Sequence, residues 1–180
     1  MKLESYTANL YQNNIEEIRN NFSYKNPIEI PKLNKISVNV GIKATENDVK
    51  RVDYIQRQLA IITGQNPVII KSTKSISSFK LREGVPIGCM VTLRKKKMYN
   101  FLDKMLLVGL PRTRDFRGFS VKSFNQKGHY SFGIKEHTIF LEVDFTNSFK
   151  PFGMNINIVT TAKTKKEALF LLKKIKLPIK

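Results

Sequence analysis

Between Lys35 and Ile42 every second residue is aliphatic. Ile36, Val38, Val40 and Ile42 alternate with Lys35, Ser37, Asn39 and Gly41. A period of two is the signature of a strand with one face buried and one in water. The pattern returns twice. Ile87, Cys89, Val91 and Leu93 oppose Met90, Thr92 and Arg94, and Met154, Ile156, Ile158 and Thr160 oppose Asn155, Asn157, Val159 and Thr161. Pro67–Lys71 reads as a shorter apolar strand, and His129–Ile134 and Ile139–Val143 as further strand candidates. Cys89 lies on the apolar side of its strand, where it serves as a small buried hydrophobe rather than a reactive thiol.

Elsewhere the period lengthens to that of a helix. Tyr6, Leu10, Ile15, Ile18 and Phe22 share one face of a helix expected over Glu4–Asn20, and Pro27 and Pro31 break the turn that follows. Thr45 and Asp48 look like a helix start. Behind them Val49, Val52, Ile55, Leu59 and Ile62 line one face, and Gly64 ends the element. Lys95–Gly109 is expected to be helical, with Met98, Phe101, Leu102, Met105, Leu106 and Val108 inward and Pro111 as the stop. Thr164 and Glu167 form a capping-box pair opening a last helix with Leu169, Leu171, Leu172 and Ile175. At 180 residues, with no repeat, linker or second composition, this predicts a single α+β domain over 1–180. The sheet is expected to be mostly antiparallel, with helices packed on one face; residues 1–30 supply an N-terminal helix and turn.

Charge changes the picture. The chain carries 32 basic and 14 acidic residues, net +18, a field that attracts polyanions. The excess is concentrated: between Lys71 and Gly128 fourteen Lys and Arg face only Glu83, Asp103 and Asp115. Within this region Lys71, Lys74, Lys80 and Arg82 are interleaved with Ser72, Thr73, Ser75, Ser77 and Ser78. Phe79 sits among them either as a stacking platform or as a plug that pins the loop. Further on, Arg112, Arg114 and Arg117 surround Asp115, guanidinium forks suited to phosphate or carboxylate. The polar strand faces around Asn39, Thr92 and Arg94 offer donors for phosphate, sugar or base edges, although a solvated sheet face has the same appearance.

Enzyme classes find little support. Gly84 and Gly88 complete no nucleotide-binding fingerprint, and His129 and His137 have no ligand spacing. Glu142 and Asp144 share a strand face, but a two-metal nuclease needs more carboxylates. A small RNA-processing nuclease and a protein-bridging module stand as the alternatives to RNA binding. No cofactor, metal, membrane or small-molecule partner is expected. The single cysteine suits a reducing compartment. Lys outnumbers Arg 24 to 8, a bias that AT-rich genes produce. With an N-terminus unlike a transit peptide, it points toward an organelle-encoded protein, a mitochondrial one before a plastid or bacterial-cytoplasmic one.

Several segments together resemble the bacterial-type large-subunit ribosomal protein five family, which binds 5S ribosomal RNA. They are Lys35–Gly41, Ile62–Pro67, Lys74–Ser75 with Phe79–Gly84, Pro86–Arg94, Pro111–Gly118 and Thr160–Lys163, in an order running from about Pro31 to Lys180. Lys95-Lys96-Lys97 and Ser77-Ser78 depart from the family pattern. The resemblance implies a structural, non-catalytic role in the central protuberance, on 5S and neighbouring large-subunit rRNA. It places RNA contacts at Asn39, Gln65, Thr92 and Arg94, beside which Lys35, Ser37 and Lys71 complete the expected set. It also implies that the 74–86 loop, through Lys74, Ser75, Phe79, Lys80 and Arg82, faces P-site tRNA. The Arg112, Arg114, Asp115 and Arg117 segment is expected to bridge to a small-subunit head protein, with other central-protuberance proteins nearby.

Overall fold

The computed structural model describes residues 5–42, 49–113, 116–143 and 150–180. Among them five strands form one sheet in the order β2-β3-β1-β5-β4. They are β1 (Leu33–Gly41), β2 (Val68–Lys71), β3 (Pro86–Leu93), β4 (Tyr130–Ile134) and β5 (Met154–Thr160). Every neighbouring pair is antiparallel. The helices are α1 (Tyr6–Asn13), α2 (Ile15–Asn21), α3 (Val49–Thr63), α4 (Lys95–Lys104) and α5 (Lys165–Lys174). The expected α+β architecture, antiparallel with one face covered, is what the chain adopts.

The three alternating runs form the centre of the sheet. Ile36, Val38 and Val40 of β1, Cys89, Val91 and Leu93 of β3, and Met154, Ile156 and Ile158 of β5 are all buried. They belong to one apolar core with Leu59 and Ile62 of α3, Met98, Phe101 and Leu102 of α4, and Leu171 and Leu172 of α5. Burial pushes the Cys89 thiol up from its ordinary pKa, which fits its packing role. Gly64 ends α3 at φ 66°, the left-handed conformation expected of a helix stop. The helix-start residues Thr45 and Asp48 lie outside the described residues. The α4 helix runs on through a π turn at Met105–Gly109 before Pro111.

Three local expectations need correction. The N-terminal helix is two helices, because Asn14 leaves helical geometry at φ −99°, ψ 2° and its side chain donates to the Leu10 carbonyl at 2.6 Å. Asn competes for backbone groups in this way and is a poor interior helix residue. In the first turn Thr7 rather than Tyr6 faces inward: Thr7 is buried while Tyr6 is 38% exposed. Ile139–Val143 is no strand: His137–Ile139 makes a 3-10 turn and the following residues bend. Ile139, Phe140 and Val143 are buried while Leu141 is 62% exposed, a spacing that is not alternating. The third concerns the capping box at α5. Thr164 Oγ1 accepts from the Glu167 amide as expected, but the Glu167 carboxylate reaches one residue further back, to the Lys163 amide at 2.9 Å.

Candidate nucleic-acid interface

Strand register decides what the exposed side of the sheet displays. Thr92 lies opposite Ser37, Ser37 opposite Asn157, and Asn157 opposite Ser131. Offset from it, Val68, Met90, Asn39, Asn155 and Gly133 form a second row across all five strands. Both rows lie on the side away from the core. Their side chains are exposed or half-buried. Among the described residues, none of the side chains of Ser37, Asn39, Thr92, Ser131, Asn155 and Asn157 has a bonding partner. Gly88 keeps the surface shallow, since a Cβ there would sit 2.7 Å from the Val40 carbonyl oxygen.

Of the expected RNA-contacting residues, Ser37, Asn39 and Thr92 come together on these rows. Gln65, in the α3–β2 connection, joins them by donating its side-chain amide to the Thr92 carbonyl at 3.2 Å. Arg94 follows the end of β3 and reaches Asn34 Oδ1 at 3.2 Å, near the β1 end that carries Lys35. Lys71 stands apart, paired with Pro86 at the opposite end of the sheet. The alternation of β5 had put Asn155 and Asn157 on a polar side, but only the register sets them, with Ser131, beside Ser37 and Asn39. No periodicity could have supplied that adjacency.

The basic loop is an arm with its own structure. The Ser72 carbonyl accepts from the Gly84 amide and the Ser72 amide donates to the Val85 carbonyl, extending the β2–β3 hairpin. Ile76 pairs with Leu81 around a 3-10 turn at Ser77–Phe79, and Lys80 takes a left-handed φ of 52°. Ser75 uses its hydroxyl inside the arm, accepting from the Glu83 amide at 3.0 Å. Phe79 is 69% exposed, so it does not pin the arm to the body. Lys74, Lys80 and Arg82 are exposed beside it.

The arginine segment lies elsewhere. Arg112 donates to the Ile139 carbonyl at 3.4 Å, and Arg117 is exposed. Arg112 lines a cleft of about 500 Å³ with Phe116, Phe119, Lys135 and Glu136, and Arg117 follows Phe116 in the chain. Arg114 and Asp115 lie outside the described residues, as does Asp144. Glu142, its supposed partner in catalysis, is salt-bridged to Lys104 at 2.8 Å. Burial alone would raise the Glu142 carboxyl, but the hydrogen bond and charge of Lys104 help hold it below the usual value. It is therefore an ionised structural partner. Among the described residues no three His, Cys, Asp or Glu side chains converge as metal ligands, and no helix is long and apolar enough to cross a membrane.

A family model described as ribosomal protein L5 matches residues 26–82, and a second, described as the C-terminus of the same ribosomal family, matches residues 86–179. The chain is 55% identical over 163 residues to the large ribosomal subunit protein uL5 of Desulforapulum autotrophicum, covering 91% of each. It is 51% identical over 166 residues to the uL5 of Pelobacter propionicus, covering 92% of this chain and 93% of that protein. With the uL5 of Citrifermentans bemidjiense it shares 54% over 158 residues, 88% of each.

Proposed function

This chain belongs to the ribosomal protein L5 family, and on that premise we propose that its open sheet face grips 5S rRNA within the central protuberance. The family is structural and non-enzymatic, and the chain's role is that of a large-subunit ribosomal protein. The observation that carries the RNA reading is the exposed sheet face itself. Ser37, Asn39 and Thr92 lie together there with side chains unpartnered among the described residues, and Gln65 and Arg94 flank them. Such a face recognises folded RNA by shape, sugar and phosphate, with no chemistry.

The arm supports a separate contact. Phe79, Lys74, Lys80 and Arg82 project from the β2–β3 hairpin, combining an aromatic platform with cations. We assign this tip to P-site tRNA, and Arg117 with its neighbours Arg112, Arg114 and Asp115 to a bridge with a small-subunit head protein. Neighbouring large-subunit rRNA and other central-protuberance proteins meet the remaining basic surface. The relatives are bacterial, which favours a ribosome of bacterial type. A mitochondrial ribosome is the reading drawn from composition.

One experiment separates these contacts. A photo-crosslinker is placed in turn at Thr92, Phe79 and Arg117 in ribosomes isolated by sedimentation from a known compartment. The expected products are 5S rRNA, P-site tRNA and a small-subunit protein, respectively. Crosslinks from Thr92 that never include 5S rRNA would sink the central assignment; a wrong product from either other position would remove that assignment alone.

A further inference from the structure

Resting on the RNA-binding reading, we propose that the interface continues across β5 and β4. Asn155, Asn157 and Ser131 there contact ribose hydroxyls and base edges rather than phosphates. The register puts Asn157 between Ser37 and Ser131, and Asn155 between Asn39 and Gly133. With strands roughly 4.8 Å apart, the row from Thr92 to Ser131 spans about 14 Å. An RNA seated on Ser37 and Asn39 therefore has the next two strands within about 10 Å.

The polar side chains of the two rows share one chemistry. Beside the apolar Val68 and Met90 and the bare Gly133, they are all amides and hydroxyls with no charge, whereas Lys35 and Arg94 stand at one end of the face and Lys71 at the other. Ammonium and guanidinium groups suit phosphate; an amide or hydroxyl, both donor and acceptor, suits a 2′-OH or a base edge. Asparagines whose side chains find no partner among the described residues add nothing to folding at these positions, where β-branched residues have the higher strand propensity. The edge is also left low: Gly133 is exposed on β4, and a Cβ there would lie 3.3 Å from Asn155 Oδ1.

The test is a set of binding titrations of the full chain with 5S rRNA across a range of salt. Circular dichroism confirms the fold of each variant. Asn155→Ala with Asn157→Ala should weaken binding about tenfold or more, with the salt slope unchanged. Gly133→Leu, which covers the face while leaving both amides in place, should weaken it as well. Lys35→Gln with Arg94→Gln should instead flatten the slope, by about 0.7 to 0.9 for each phosphate no longer neutralised. Asn39→Ala with Thr92→Ala is the control for the underlying reading. If that control weakens binding while both β4–β5 variants bind within about twofold of the natural chain, the extension is overturned alone. If the control also binds normally, the reading beneath it falls. A β5 variant that loses affinity together with salt dependence would overturn the sugar-and-base assignment in favour of phosphate.

Discussion

Lys95 holds a left-handed backbone, φ 50°, at the first position of α4. A residue with a Cβ is strained there by about 1 kcal/mol, and glycine would not be. It is also the first of three lysines at a helix N-terminus with no acidic residue in its first turn and no side-chain cap. Cations are disfavoured at that end of the helix dipole. Nothing among the described residues accounts for this arrangement, but a phosphate backbone beside Arg94 would. Lys95→Gly is expected to stabilise the protein by roughly 0.5 kcal/mol, after subtracting the extra freedom glycine has when unfolded. The same change should lower the salt slope of RNA binding by about one. A melting curve and a salt titration read both; a variant that melts lower and keeps its slope refutes the account. His137 carries the opposite lesson. It is 2% exposed, stacks on Phe152 with ring centres 3.9 Å apart, and accepts the Phe152 amide at Nδ1. Its Nε2 lies 3.3 Å from the Tyr54 hydroxyl. Burial holds the imidazole below its ordinary value of 6.5, against the charge of Glu136, and the amide donated to Nδ1 also favours the neutral ring. The folded state therefore prefers neutral His137. Its stabilisation is complete above about pH 6.5 and is lost as pH falls below that toward the depressed folded value. Urea midpoints compared between about pH 8 and about pH 5 should fall more for the natural chain than for His137→Asn. An equal fall in both would show that His137 contributes nothing to the pH dependence. Sequence spacing offered no ligand pattern for this histidine, and it could not bring Tyr54 and Phe152 to the ring.

At the scale of elements, α1 depends on a residue 97 positions away. Asp103 of α4 accepts from the Tyr6 and Thr7 amides, both at 2.9 Å, and so acts as an N-cap for a helix that lacks a side-chain cap of its own. Asp103→Ala should cost about 1–2 kcal/mol and make the segment through Asn21 more sensitive to protease. Unchanged urea stability and cleavage would remove Asp103 from this role. The elements with long regular periods, β1, β3, β5 and α3, were legible because alternation or 3.6-residue spacing directly reflects which face is buried. The errors fell where a local competitor intervened. Asn14 breaks the N-terminal helix, and the buried residues of 139–143 pack from a turn, paired with no strand among the described residues.

For the whole molecule, the family models divide the chain near the arm, at 26–82 and 86–179, yet the sheet does not divide there. β1 lies between β3 and β5, and among the described strands β2 pairs only with β3. The two strands described in the first part therefore never pair with each other. The fold is proposed to be one cooperative unit over 1–180. Fragments 1–84 and 85–180 should each lack a cooperative urea transition followed by circular dichroism, and should regain one on mixing. A sharp transition in 1–84 alone would show independent domains. The net charge of +18 and the run of basic residues after Lys71 belong to the sequence alone, because charge needs no fold to act at long range. So do the strand faces, since side chains alternate wherever a strand forms, and the family, whose segments can be recognised in order. Tertiary structure alone decided the lateral order of the strands, which sets Asn157 between Ser37 and Ser131. It also decided the exposure of Phe79 on a built arm and the closeness of Gln65 to Thr92. Each of these depends on pairing between residues far apart in the chain, and that pairing is selected by the core all the strands share rather than by any one segment.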